Sequence, residues 1–243
     1  GYNYIFDEPD EDKYADVIAE SRIWREAAPG LRILLTEQPE PALEGWVDIW
    51  TPVLDAYNEF TCKAAQKKGD EVWWYVCMGP KHPFPNNFID YPAIDHRILH
   101  WMNWKYGVTG VLYWQTTYWK GDPWETPMSY ADDGKPFGNG DGRLLYPGVR
   151  KPAETPVITG PMDSVRWEMI REGIEDYDYL MMLSEKVRAA EKAGEKSERL
   201  KQGRAALDSA RSLVRTLVDY ETDPGRLYEV REAVAGCLER FAE

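Results

Sequence analysis

Two adjacent carboxylates, Asp7 and Glu8, follow the apolar run Tyr4-Ile5-Phe6 and precede Pro9. Aromatic and β-branched residues predict a strand over 2–8. Neighbours within a strand point to opposite faces, but at its end, where the chain turns, both acids can approach one pocket. Two adjacent acids repel, and one can be kept protonated near neutral pH. A protonated carboxylic acid can give its proton to a leaving glycosidic oxygen. The usual retaining mechanism adds a second carboxylate roughly 5 Å away across the sugar, and many barrel glycosidases carry it at the end of the penultimate strand. That stretch here runs Tyr75-Val76-Cys77-Met78-Gly79-Pro80-Lys81-His82, and no Asp or Glu occurs between Glu71 and Asp90. Glu37, Asp48 and Asp55 sit near other strand ends and could substitute. The simpler reading is a nucleophile brought by the substrate: an N-acetyl group at C2 attacks the anomeric carbon and forms an oxazolinium ion. That route needs one carboxylate to orient the acetamide and an acid/base beside it, a division of labour that adjacent Asp and Glu suit.

Other side chains are candidates for holding a sugar. Trp114 ends the last strand and could serve as a stacking platform. Alternation is expected to place Val47 and Ile49 against helices, so that Asp48 and Trp50 face a barrel interior. Tyr75 is a candidate for bonding an acetamide or a hydroxyl. His96 and His100 have the i, i+4 spacing of helical zinc ligands. No third ligand is evident, and Arg97 stands where the His-Glu-x-x-His pattern has its glutamate; neither a metal nor another cofactor is expected. Asp132-Asp133-Gly134 and Asn139 to Gly142 miss the spacing of an EF-hand loop and read as a turn-rich substrate loop. Arg166, Glu168, Arg171, Glu172, Glu175 and Asp176 read mostly as a solvated, ion-paired helix face, with Trp167, Ile170 and Ile174 as its buried stripe.

The elements that must position these residues alternate. Strands are predicted over 2–8, 31–36, 46–51, 71–78 and 110–116, with helices over 12–28, 55–68 and 90–106. The link between the second and third strands is too short for a helical crossover and holds at most one helical turn. This alternation argues for parallel βα units, whose active site lies at the carboxyl ends of the strands. Five strands cannot close an eight-stranded barrel, so the chain reads as the later part of a barrel or as an open α/β sheet. The former is favoured, although half a barrel by itself would leave strand edges unpaired, a known liability. Residues 117–160 are loop-rich. Beyond them, helices are predicted over 164–193, 197–218 and 224–242, with Gly173 weakening the first. The division expected is a partial barrel over 1–160 and C-terminal helices over 161–243.

Bulk composition is consistent with a packed domain. The 243 residues are 43% hydrophobic and 13% aromatic, with 11 Trp and 15 Tyr. A net charge of −13, from 42 acidic and 29 basic residues, argues against nucleic acid and against anionic membranes as partners. No apolar run is long enough to span a membrane. Cys62, Cys77 and Cys237 show neither a disulfide framework nor a zinc spacing. No signal peptide opens the chain, which reads as beginning inside a domain at Gly1.

Several stretches together carry a family resemblance. They are Phe6-Asp7-Glu8-Pro9, Asp48-Ile49-Trp50-Thr51-Pro52, Gly110-Val111-Leu112-Tyr113-Trp114, the run from Gly140 to Gly148, and the run from Arg166 to Leu180. In order and spacing this set resembles the catalytic domain of glycoside hydrolase family 123, from its fourth barrel strand to its C-terminal helices. The resemblance implies a (β/α)8 TIM-type barrel and retaining removal of terminal β-linked N-acetylgalactosamine by substrate assistance. It implies Asp7 as the acetamide-orienting residue and Glu8 as general acid/base, with a carbohydrate substrate. It also implies a secreted or periplasmic setting. The family's β-sandwich and first three barrel strands have no counterpart here, so the implied partner is an N-terminal part of the same protein. The contrasting expectation is a carbohydrate-binding or scaffold protein without catalysis, or a part inactive without the remainder.

Overall fold

The computed structural model describes residues 1–129, 131–132, 135–136, 138–148 and 160–242. The chain divides into two compact units, Gly1–Pro80 with Tyr106–Tyr113, and Lys81–Lys105 with Trp114–Glu243.

The first unit is mixed α/β. Strands β1 (Tyr2–Phe6), β2 (Arg32–Leu35), β3 (Ile49–Trp50), β4 (Glu71–Tyr75) and β5 (Gly110–Leu112) form one sheet in sequential order. Every neighbouring pair is parallel. Helix α1 (Tyr14–Ala27) joins β1 to β2, and α2 (Glu59–Lys68) joins β3 to β4. Between β2 and β3 there is only a 3-10 turn at Pro41–Leu43, as the short link requires. The helix expected over 55–68 breaks into a 3-10 turn at Leu54–Ala56 and α2. The Asn58 Oδ1 caps α2 by accepting the Phe60 and Thr61 N–H groups, which satisfies donors that the first helical turn leaves open.

This sheet is curled. In a flat sheet β1 and β4 would be three strand spacings apart, about 14 Å. Instead the Tyr2 and Trp73 rings meet edge to face with centroids 5.1 Å apart, and Arg32 of β2 pairs with Glu71 of β4. The inner face therefore carries Tyr2, Arg32, Glu71 and Trp73. Room for the Trp73 ring comes from Gly110 on the next strand, where a Cβ would lie 2.3 Å from the indole. The outer face is apolar: Val17, Leu35, Leu43, Val47, Trp50 and Ala65 form a buried cluster joined by Ile5, Phe6, Tyr14 and Ile18.

This assignment of faces corrects the expectation for β3. Trp50 lies in the outer cluster rather than inside, 2% exposed, with its indole N–H bound to Asp70 Oδ2 at 2.9 Å. Regular pairing covers only Ile49 and Trp50, so alternation cannot be counted back to Val47. By register Ile49 stands beside Leu34 and Glu71 on the inner face.

The second unit holds α3 (Ala93–Tyr106, apart from its last residue), the antiparallel pairs β6–β7 (Ala131–Asp132, Lys135–Pro136) and β8–β9 (Leu145–Tyr146, Met162–Asp163), and helices α4 (Val165–Lys192), α5 (Glu198–Leu213) and α6 (Pro224–Ala242). Gly173 does not interrupt α4. It is glycine because a Cβ would stand 2.5 Å from His100 Cδ2 and 2.9 Å from the Arg97 carbonyl, so α3 and α4 cross there in close contact. Only part of the acidic and basic face expected on α4 is solvated. Arg171 fans out to Glu168, Glu172 and Glu175 at the surface, but Asp176 is buried. Its carboxylate accepts Arg97 Nε at 2.6 Å, Arg231 Nε at 2.7 Å and Trp101 Nε1 at 2.9 Å, tying α3, α4 and α6 together. Removing one partner of such a buried set leaves an uncompensated charge. Asp176→Ala is therefore expected to cost about 3–5 kcal/mol in urea unfolding, whereas Arg171→Ala, at the solvated pairs, should leave the midpoint nearly unchanged.

Candidate active site

The carboxyl ends of β1, β2 and β4 converge on the inner face of the first unit. A register shift between Tyr4 and Phe6 marks a bulge in the β1–β2 pairing, and such irregularities re-aim side chains at strand ends. Beyond it the chain turns at Glu8, the single non-glycine residue among those described with positive φ, at 45°. A backbone held there costs of order 1–3 kcal/mol and persists only when its surroundings hold it. What holds it is Thr36, just past β2 and 3% exposed, whose Oγ1 accepts the Glu8 N–H at 2.8 Å.

The same hydroxyl donates to Asp7 Oδ1 at 3.2 Å, and Tyr4 gives its phenolic hydrogen to that same oxygen. The Tyr75 hydroxyl, from the end of β4, donates to Glu8 Oε1. Each member of the acidic pair thus has one oxygen engaged by a tyrosine. Burial, followed by the hydrogen bonds to these carboxylates, holds both phenols far above the usual tyrosine range. Glu37, at the end of β2, is half-buried, and burial raises its carboxyl pKa. The Gln38 N–H bonded to it at 2.8 Å opposes that shift, while the charges of Glu40 and Glu8 add to it.

The structure therefore brings together Asp7, Glu8 and Tyr75, and adds Tyr4 and Thr36. Sequence reasoning passed over both. The available signal was a hydroxyl ending the apolar run Ile33-Leu34-Leu35 and a tyrosine three residues before Asp7. Asp48 lies elsewhere. It precedes β3 at the amino end of the strands, where Oδ2 accepts the Ile33 N–H at 2.7 Å and Oδ1 takes Arg25 Nη2 at 3.1 Å. Trp50 is sealed in the outer core, and Asp55 lies in the 3-10 turn after β3. Trp114 belongs to the second unit. Its indole N–H donates to Asp141 Oδ1 at 3.1 Å, and its ring centroid is 5.1 Å from that of Tyr118.

Two guanidinium groups organise the loops of the second unit. Arg143, 1% exposed, donates to the carbonyls of Tyr118, Lys120 and Thr126. Arg166, expected on a solvated face, is instead 5% exposed and donates to the carbonyls of Asn87, Gly140 and Arg143. Of the loops weighed as cation sites, Asp133 and Gly134 lie outside the described residues, and Asn139 Nδ2 donates to Asp90 Oδ1 at 3.1 Å. The i, i+4 histidines are buried. His96 Nδ1 lies 2.9 Å from the Asn86 carbonyl, and His100 packs on Gly173. Among the described residues no group of three or more His, Cys, Asp or Glu side chains is arranged to hold a metal.

A family model described as "Glycoside hydrolase 123, catalytic domain" matches residues 2–183. Among solved structures, the chain is similar to a family 123 glycoside hydrolase from Clostridium perfringens, with a TM-score of 0.65 and 19% sequence identity. The match covers 99% of this chain and 39% of that one. No curated protein matches.

The buried histidines predict the acid response of the fold. Burial lowers His96 and His100 from 6.5 to about 4. Between those values the unfolded chain binds protons that the folded chain does not, so acidification through the window destabilises. Asp95 acts the other way: burial raises it from 3.8 to about 6, so it takes up its proton in the folded state and stabilises as pH falls. The two histidines thus contribute a loss of stability from pH 6.5 towards 4, opposed by Asp95 and by Glu37, whose carboxyl pKa burial also raises. His100→Gln, neutral throughout, should flatten the fall in denaturant midpoint over that range; an unchanged slope would refute the assignment.

Proposed function

The chain belongs to glycoside hydrolase family 123 through its catalytic domain, and we propose that it removes terminal β-linked N-acetylgalactosamine, or a related N-acetylhexosamine, by retaining, substrate-assisted catalysis. The observation that carries this reading is the unequal treatment of two adjacent acids. Asp7 has Oδ1 fixed by Tyr4 and Thr36, so that Oδ2 would be the oxygen to meet a ligand. Glu8 is turned out by its positive φ and steadied by Tyr75.

In this mechanism Asp7 Oδ2 accepts the acetamide N–H and orients the group. The acetamide carbonyl oxygen attacks C1 while Glu8 gives its proton to the leaving oxygen, and an oxazolinium ion forms. Glu8 then takes a proton from water as that water attacks C1 and reopens the ring, so the β configuration is retained. Tyr4 and Thr36 limit the rotation of the Asp7 carboxylate, and near-attack positioning of this kind supplies much of the rate. Glu37 is the other carboxyl at the mouth of the sheet. Its raised pKa favours the neutral form, the wrong direction for an ionised nucleophile. The family 123 glycoside hydrolase from Clostridium perfringens is described for the hydrolysis of glycolipid glycans, which supports a glycan substrate for this chain.

The sequential parallel strands fit the fourth to eighth strands of a (β/α)8 barrel. On that reading an N-terminal part of the same protein supplies the remaining strands.

Removing a general acid typically costs 10²- to 10⁴-fold in rate. In the full-length protein, Glu8→Gln should show about such a loss on N-acetylhexosaminides with poor leaving groups and a smaller one on activated aryl glycosides. Asp7→Asn should lower kcat while sparing binding. Wild-type activity in both variants would sink the assignment. Sugar binding with no turnover by the unmodified protein would favour a lectin-like role. A covalent glycosyl adduct on Glu37 would favour a two-carboxylate mechanism.

A further inference from the structure

We infer that Thr36 is a positioning residue for both members of the catalytic pair, an assignment that rests on the catalytic reading of Asp7 and Glu8. Its single hydroxyl serves two residues at once, with Asp7 Oδ1 at 3.2 Å a nearer acceptor for its one hydrogen than the Phe6 carbonyl at 3.4 Å. As acceptor it takes the Glu8 N–H at 2.8 Å, and as donor it reaches Asp7 Oδ1 at 3.2 Å. The direction of each bond is determined by the partners. A backbone N–H can only donate, and Tyr4 gives its one phenolic hydrogen to Asp7. An ionised carboxylate can only accept. Thr36 is 3% exposed and directly follows β2, whose Leu34 and Leu35 are 0% exposed, so the hydroxyl is carried at the end of a packed strand.

The consequence is a mechanical link between the two catalytic groups. The Glu8 backbone, in a conformation that residues with a Cβ seldom adopt, is anchored to the same oxygen that fixes the Asp7 carboxylate. Without that hydroxyl the Glu8 N–H loses its acceptor, and Asp7 keeps only Tyr4. Both acids would then sample orientations in which the acetamide and the leaving oxygen are not engaged together. The loss belongs in the chemical step rather than in ground-state binding.

Thr36→Val keeps the shape and removes the hydroxyl; Thr36→Ser keeps the hydroxyl. In the full-length protein acting on an aryl N-acetyl-β-hexosaminide, T36V is expected to lower kcat by about 100-fold, the cost of displacing a reacting group by about 1 Å. KM should stay close to wild type, the melting temperature should fall slightly because the Glu8 N–H loses its acceptor, and T36S should retain most of kcat. T36V combined with Asp7→Asn should lose less than the product of the two single losses, because residues acting as a unit are not additive. Wild-type kcat in T36V, equal losses in T36V and T36S, a loss that tracks melting temperature, or fully additive losses in the double variant would each overturn the assignment. Should T36V fail to fold, Thr36→Ala removes the same hydroxyl with less bulk, and the comparison with T36S stands. Full activity in D7N and E8Q would defeat the catalytic reading itself. Inactive D7N and E8Q beside a fully active T36V would defeat only the role of Thr36.

Discussion

The curl of the five-stranded sheet is the constraint on which the candidate site depends. β1 and β4 are separated by two intervening strands, yet their inner faces touch through Tyr2 and Trp73, and their ends touch through Glu8 and Tyr75. In a flat sheet neither contact is possible at a strand spacing of about 4.8 Å. The curl needs space on the inside and apolar volume on the outside. Gly110 gives the first by leaving room for the Trp73 ring, and the cluster around Trp50, Leu35 and Val17 gives the second. The geometry of the candidate site is thereby coupled to ordinary packing several residues away.

The second unit reaches rigidity by another route. Its loops are organised by guanidinium groups directed at backbone carbonyls, and its helices by a buried carboxylate. Arg143 gathers three carbonyls of the segment that follows Trp114, and Arg166 gathers three more. Buried carbonyls in irregular chain otherwise lack donors, and a planar fork with five N–H groups can satisfy several at once. Asp176 does the reverse, with one carboxylate collecting donors from two arginines and a tryptophan.

Much of this was legible in the sequence because it depends on local signals. The order of strands and helices follows from apolar runs punctuated by Pro and Gly, and Asp7-Glu8 stands out because acids end an aromatic strand. Tyr75 was reachable as a hydroxyl at the end of the next-to-last strand. What was not legible depends on three-dimensional register. Trp50 was placed inside because alternation was counted through Val47, which precedes the two paired residues. Asp48 looked like a site residue because alternation along a strand expected over 46–51 put it on the face of Trp50, whereas regular pairing begins only at Ile49. Gly173 read as a helix breaker because the His100 ring that requires it lies more than 70 positions earlier in the chain. Arg166 read as a surface charge because its acceptors are carbonyls, which a sequence does not distinguish.

The two tyrosines that hold the acidic pair have a further consequence. Their phenols resist ionisation because burial and the adjoining carboxylates both oppose a second negative charge. Across neutral pH they remain O–H groups, and a phenolic O–H beside a carboxylate gives its hydrogen in one sense only. The polarity of the hydrogen-bonded circuit is therefore fixed. Both phenols point their hydrogens at the acidic pair, so the framework that orients Asp7 and Glu8 has one arrangement rather than several.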